Sequence, residues 1–257
     1  MVDPHALDKV IEAADLDPTD FVIEVGTGTG LLTESLAKKV ARVVTVEIDK
    51  KIQEIAQEQL KGHGNITWVL GDILEQSQKK LMSNASRGGR VKVVSNPPYS
   101  ISSPLLDYFI GWDPKPELLV LTLQKEVIDR ILGNPGTDAY GSLSLFAQYY
   151  FDAEKVGEIS AGAFFPAPEV DSAILLLRPK RRVETDSGTE KMFFKIVRAV
   201  FQQRRKTFWN VLRKAFPDFS QEQLRKILEE GGVAPSVRGE TLPLETYLHL
   251  AGILKKI

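Results

Sequence analysis

The 257-residue chain contains no cysteine and only three histidines, His5, His63 and His249, none near another. The first absence excludes disulfides, thiolate metal sites and a cysteine nucleophile. The second leaves no cluster for a histidine metal centre. Long hydrophobic runs are missing as well. No stretch approaches the roughly 20 apolar residues that cross a bilayer, and no signal-peptide pattern opens the chain. A soluble, cytoplasmic protein without membrane contact is the expectation. Its size predicts a monomer with one large domain and an appendage. There is no internal repeat and no low-complexity tract.

Charge is what the two ends share least. Residues 1–180 carry 18 Lys+Arg against 25 Asp+Glu, whereas residues 181–257 carry 15 against 9. The tail's cations cluster at Arg181 and Arg182, at Arg204, Arg205 and Lys206, and at Arg213 and Lys214. Such clusters are either solvated helix faces or an electrostatic footprint for nucleic acid. Cluster by cluster the first reading is favoured, but the sign change between segments is harder to dismiss, and it makes Arg181, Arg182, Arg204, Arg205 and Lys206 the RNA-contacting candidates.

The pattern is α/β first and helical later. Apolar runs at residues 21–25, 43–46, 66–70, 91–94 and 118–123 alternate with helical spacing, predicting a parallel sheet covered on both faces. Sheet patterning ends near Leu175-Leu176-Leu177, and polar residues 184–190 read as a linker. Phe193, Phe194, Val197, Val200 and Phe201 then form one helical stripe, continued by Phe208, Val211, Leu212 and Ala215.

The run at 91–94 delivers Ser95-Asn96-Pro97-Pro98-Tyr99 to a strand end, where open α/β folds bind ligands. Asn96 offers a side-chain carbonyl, two prolines stiffen the backbone, and Tyr99 offers a flat aromatic face. These suit the grip of a planar molecule's NH2 group; the competing reading is a Pro-Pro turn with a core tyrosine. Upstream, Glu24-x-Gly26-x-Gly28-x-Gly30 follows a strand. The dinucleotide fingerprint wants its third glycine at the sixth position, which is Leu31 here. An acid before the first glycine repels a pyrophosphate but tolerates the sulfonium and ammonium of S-adenosylmethionine. Glu47 ends the second strand, where a carboxylate can accept both ribose hydroxyls. Ile48 can pack on an adenine face, and Asp72 can accept from adenine's amine. Taken singly, each acid is better explained as a cap or surface residue, but as successive strand-end acids after a glycine loop they reinforce one another; Asp49 reads as the N-cap of the following helix.

Together these residues resemble class I, Rossmann-like methyltransferases that modify the amine of adenine. Further segments narrow the resemblance: Leu123-Gln124-Lys125-Glu126-Val127, Tyr140-Gly141-Ser142, the run from Phe164-Phe165-Pro166 to Asp171-Ser172-Ala173, Arg204-Arg205-Lys206-Thr207 and Arg238-Gly239-Glu240-Thr241-Leu242. They are similar to the KsgA/Dim1 family of small-subunit ribosomal RNA adenine dimethyltransferases, over nearly the whole chain. The resemblance implies a methyltransferase domain over residues 1–182 and a small all-helical, basic, RNA-engaging domain over 183–257. It implies dimethylation of two adjacent adenosines near the 3′ end of small-subunit rRNA, within an immature ribosomal subunit, during ribosome biogenesis. It implies cofactor contacts at Met1, Glu24, Gly26, Gly28, Glu47, Ile48, Asp72, Ile73 and Asn96, and a catalytic group of Asn96, Pro97, Tyr99, Phe164 and Phe165.

Two features depart from that pattern. The family has Asn-Leu-Pro-Tyr where this chain has Pro97, a change that keeps the backbone carbonyl. The family's opening Gly-Gln-Asn/His-Phe-Leu segment, which contacts the cofactor in the family, would end about where this sequence starts at Met1-Val2-Asp3. The alternatives are a large-subunit rRNA methyltransferase of the macrolide-resistance type, a DNA-adenine or glutamine-amide methyltransferase, and a mainly RNA-binding assembly or transcription factor.

Overall fold

A computed structural model describes residues 2–83, 89–180 and 185–256. In chain order the helices and strands are α1 (Pro4–Ala13), β1 (Phe21–Val25), α2 (Leu31–Ala37), β2 (Arg42–Glu47), α3 (Lys50–Gln59), β3 (Ile66–Leu70), α4 (Gln78–Leu81), β4 (Val91–Ser95), α5 (Ser102–Ile110), β5 (Leu118–Gln124), α6 (Lys125–Ile131), α7 (Ser142–Tyr150), β6 (Phe151–Ile159), β7 (Ser172–Pro179), α8 (Ser187–Gln202), α9 (Phe208–Ala215), α10 (Gln221–Glu230) and α11 (Leu244–Lys255). They form two compact units, one of residues 1–128 and 152–179, the other of residues 129–151 and 180–257.

The first unit is built on a seven-stranded sheet of order β3-β2-β1-β4-β5-β7-β6. Pairings from β3 through β5 are parallel. β7 instead runs antiparallel to β5, from Leu119 opposite Leu177 to Gln124 opposite Ser172. The five strands expected from the sequence are parallel as predicted, and the added β7 makes the whole sheet mixed. Its physical source is local: β7 is buried at six successive positions, and a buried apolar run does not encode strand direction. The strands β1, β4, β5 and β7 supply Val22, Val94, Val120 and Ile174 to one core layer, covered by Val10 of α1 and Leu36 of α2.

The order decides where a ligand belongs. The chain winds outward from β1 to β3 and then returns to place β4 on the other side of β1. Such a reversal opens a crevice beyond the carboxyl ends of the two central strands, which here carry the glycine loop and the Asn96–Tyr99 loop.

At the opposite, amino edge lies a buried charge group. The Lys92 ammonium reaches the Asp20 carboxylate at 2.9 Å and the Ala14 carbonyl at 2.9 Å, and Arg90 reaches Asp20 at 2.9 Å. Burial by itself raises the Asp20 pKa, but hydrogen bonds from Lys92, the Asp17 amide and Arg90 outweigh it and hold the carboxyl below its ordinary value.

The second unit buries Phe193, Val197, Val200, Phe208, Val211 and Leu212, the expected stripe, together with Leu228 of α10 and Tyr247 and Leu250 of α11. Phe194, Phe201 and Ala215 pack half-buried against it. Two sequence expectations are revised. The stretch expected to be linker already becomes helix at Ser187, because Asp186 accepts from the amides of Gly188 and Thr189. Residues 129–151, assigned to the first domain by a division at 182/183, group with the helices instead. Tyr140 is buried in the helical core, and its hydroxyl donates to the Leu242 carbonyl at 2.8 Å. Arg204 donates to the carbonyls of Asp138 and Thr137 at 3.0 and 2.9 Å and pairs with Glu240.

Candidate active site

Residues at the carboxyl ends of β1 and β4 tie the two loops together. The Ser95 hydroxyl donates to the Val25 carbonyl at 2.6 Å and accepts from its amide at 3.3 Å. Gly26 follows with φ +80°, a conformation that L side chains rarely adopt. A Cβ there would lie 3.4 Å from Pro98 Cδ and 3.7 Å from the Asn96 carbonyl oxygen. The glycine loop therefore rests directly on the Asn-Pro-Pro-Tyr loop.

Glu47 ends β2 nearly buried, at 7% exposure. Its carboxylate accepts from the amides of Gly28 (3.2 Å) and Asp49 (3.0 Å). Asp49 caps α3 through the amides of Lys51 and Ile52, as expected. Asp72 follows β3 after Gly71 and accepts from the Leu74 amide at 2.9 Å.

Two cavities share Gly26, Glu47 and Pro98 as walls. One, of about 220 Å³, is lined by Glu47, Ile48, Asp72, Ile73 and Ile101 among others. The second, of about 370 Å³, is lined by Gly28, Asn96, Pro97, Tyr99, Phe164 and Phe165 among others. Nearly all the candidate residues in the first unit thus meet in one crevice. Among the described residues no hydrogen bond engages the Asn96 side chain or the Pro97 carbonyl.

Glu24 is the exception. It is fully buried beneath the glycine loop and lines neither cavity. Its Oε2 accepts from the Thr33 hydroxyl at 2.6 Å, and its Oε1 has no partner. Burial pushes its pKa up to about 8, against the lowering effect of the Thr33 and Thr45 hydroxyls. Buried and lining neither cavity, it does not face the crevice as the sequence reading expected, and burial favours its neutral form. A continuous apolar run gave no sign that its one acid pointed into the protein.

The two phenylalanines separate. Phe164 packs among Ile159, Ala163 and Ile174, whereas Phe165 is 81% exposed. Tyr99 is held by its hydroxyl, 2.6 Å from that of the fully buried Ser172 at the start of β7. Sequence reading missed Ser172 as a site residue, although it lies within the Asp171-Ser172-Ala173 run. It missed Ser95 too, since only strand adjacency shows what these hydroxyls touch.

Of the RNA-contacting candidates, Arg205 and Lys206 are exposed. Arg204 is half-buried, its guanidinium engaged by Glu240 and the carbonyls of Thr137 and Asp138. Arg181, Arg182 and the cofactor candidate Met1 lie outside the described residues.

A crevice at the β1/β4 reversal, two strand-end acids and a stiff loop with unused acceptors define a Rossmann-like methyltransferase acting on an amine. Comparison with known proteins narrows this. The ribosomal RNA adenine dimethylase family model matches residues 1–256. The ribosomal RNA small subunit methyltransferase A of Geobacter metallireducens is 40% identical over 251 residues, covering 98% of this chain and 91% of the relative. Its Streptococcus pneumoniae counterpart is 40% identical over 260 residues, covering 99% and 89%. Among solved structures, a Plasmodium falciparum dimethyladenosine transferase superposes with TM-score 0.84 at 26% identity, covering 97% of this chain and 95% of that one. The 23S rRNA methyltransferase ErmE gives 0.75 at 25% identity, covering 98% of each. The chain belongs to the ribosomal RNA adenine dimethylase family and is an S-adenosylmethionine-dependent rRNA methyltransferase.

Proposed function

We propose that this protein transfers methyl groups from S-adenosylmethionine to the exocyclic amines of two adjacent adenosines near the 3′ end of small-subunit rRNA, dimethylating each. The substrate is an immature ribosomal subunit in the cytoplasm, and the protein acts as a monomer. The observation that carries this reading is the pair of acceptors, Asn96 Oδ1 and the Pro97 carbonyl. They border a cavity that shares a wall with the Glu47 and Asp72 pocket. The 40% identity to small-subunit relatives favours that subunit over the large one.

The residues fit the cofactor by their chemistry. Gly26 and Gly28 leave the loop without side chains where it meets the Asn96–Tyr99 loop. Glu47 would take the ribose hydroxyls, Asp72 the adenine amine, and Ile48 and Ile73 the adenine faces. When bound, the cofactor supplies an electrophilic methyl group on a sulfonium.

What the chain adds is positioning. The amine of adenine is a weak nucleophile because its lone pair is delocalised into the ring. Asn96 Oδ1 and the Pro97 carbonyl accept its two hydrogens, which draws the nitrogen toward a tetrahedral shape and frees the lone pair. Proline at position 97 does not alter this, because the group used is a backbone carbonyl. The base must leave its stack to enter the cavity. Tyr99 supplies one face of the clamp, and Phe165, the exposed aromatic of the pair, supplies the other. The amine loses its proton readily once methylated, so no general base is needed beforehand, and orientation provides much of the acceleration.

Radiolabelled methyl transfer tests the reading, with immature small subunits set against naked rRNA, large subunits and DNA. Label is expected on small-subunit rRNA only. Label on large subunits or DNA alone would overturn it.

A further inference from the structure

Within the helical unit, α8 borders a cavity of about 520 Å³ that the catalytic crevice does not include. Its walls include Tyr150, Phe194, Ala199 and Ala215, and along one side run Lys191, Lys195 and Arg198. These three cations stand at i, i+4 and i+7, so they fall on one narrow stripe opposite the buried face of Phe193, Val197 and Val200.

Ordinary solvated helix faces intersperse acids three or four residues from each lysine. Here the helix offers none. The i±3 and i±4 neighbours of the three cations are Ser187, Gly188, Met192, Phe194, Ala199, Phe201 and Gln202, apart from one another. Lys191 and Lys195 are a like-charge i,i+4 pair, and Lys195 and Arg198 a like-charge i,i+3 pair, both arrangements that destabilise a helix. Among the described residues none of the three makes an ion pair, while Lys226, Lys255 and Arg204 of the same unit each do. The Lys195 ammonium is held 4.4 Å from the Phe216 ring centroid. Glu190, the acid in the lining, accepts from the Tyr150 hydroxyl at 2.5 Å. Among the described residues of the lining Glu190 is the one acid against these three cations, and an external polyanion would relieve the repulsion that remains.

We propose that this groove binds the phosphodiester backbone of the substrate RNA, with Lys191, Lys195 and Arg198 each neutralising a phosphate. The stripe spans about 10 Å along the helix axis, enough to lie along a short run of backbone phosphates. The contact is to backbone, so it positions the RNA without reading sequence. The identity of the anion rests on the reading of the substrate as ribosomal RNA.

The test uses the full chain and an unmodified small-subunit rRNA transcript, with affinity followed across salt concentrations. In the triple variant Lys191→Ala/Lys195→Ala/Arg198→Ala, affinity near 0.15 M salt is expected to fall at least about 30-fold. The slope of log K against log salt should become shallower by about 2, from about 0.7 per lost phosphate contact. The charge-preserving variant Lys191→Arg/Lys195→Arg/Arg198→Lys should keep the parent slope, and calorimetric S-adenosylmethionine affinity should be unchanged in both. A parent-like slope in the alanine variant overturns the groove while leaving the catalytic reading intact. Parent-like RNA binding with lost affinity for immature subunits also overturns it, since a ribosomal protein would then occupy the groove. If the parent itself neither binds rRNA nor methylates immature small subunits, both readings fall.

Discussion

The two edges of one sheet treat polar groups in opposite ways. At the amino edge, Asp20, Lys92 and Arg90 are gathered into a group whose charges are matched and whose ammonium also meets carbonyls. At the carboxyl edge, Asn96 and the Pro97 carbonyl border a cavity with no partner among the described residues. Buried charge that is fully matched maintains a fold, and removing one member leaves its partner stranded. Polar groups left unmatched beside a cavity are held ready for a ligand. The same backbone thus separates stability from chemistry by placing them at opposite strand ends.

Substitutions at the two edges should therefore fail in different assays. The largest effect is expected at the carboxyl edge. Asn96→Ala should lower methyl transfer by about 10³-fold, on the order of 4 kcal/mol of transition-state stabilisation, with cofactor affinity and melting temperature near those of the parent. Turnover close to the parent rate would remove the mechanism.

At the amino edge, Lys92→Met should cost about 3 kcal/mol of stability, because Asp20 is left buried with Arg90 alone; denaturant unfolding measures it. Per folded molecule, kcat should not change. A kcat loss exceeding the stability loss would erase the contrast between edges.

Glu24 sharpens the comparison, since it lies at the carboxyl edge yet is buried. Its folded pKa, about 8, is above its ordinary value of 4.5, so the folded state holds a proton that the unfolded chain has released between those values. Stability should be full below about pH 4.5 as far as this group is concerned, and decline by a few kcal/mol as pH rises toward 8. Glu24→Gln should flatten that decline in melts recorded from pH 5 to 8. An unchanged slope would mean that another group carries it.

A smaller effect tests Ser172 as a positioning residue for Tyr99. Ser172→Ala should raise KM for RNA and lower kcat by about 10-fold together, roughly 1.4 kcal/mol, and Ser172→Thr should recover most of it. Once Tyr99→Phe has removed the phenolic hydroxyl, adding Ser172→Ala should change the kinetics no further. A purely structural serine would show its full effect in both backgrounds. The smallest change is predicted for Pro97→Leu, within about threefold in kcat, because the carbonyl it presents is the same.

Much of this was legible in the chain because it is local. A β-branched run, a glycine loop and a strand-end acid each announce themselves within a few residues, and alternation with helices brings their ends to one edge. Asp49 as a cap, Glu47 and Asp72 at strand ends, and Asn96 to Tyr99 in a loop were readable for that reason. What failed was direction and depth. Apolar runs did not disclose that β7 turns antiparallel. Nor did Arg204, read as a nucleic-acid contact from its neighbours Arg205 and Lys206, show that its partners were Thr137, Asp138 and Glu240, between 36 and 67 residues away in the chain.

The sequence by itself determined the α/β order, the glycine loop after β1 and the Asn96–Tyr99 loop after β4, since each depends on residues adjacent along the chain. Only the tertiary structure decided which acids face the crevice, which phenylalanine stays exposed, that Ser172 holds Tyr99, and that α8 presents to a groove three cations without an ion pair among the described residues. Those outcomes depend on what folds against each side chain, because burial, pairing and charge state are properties of the surroundings.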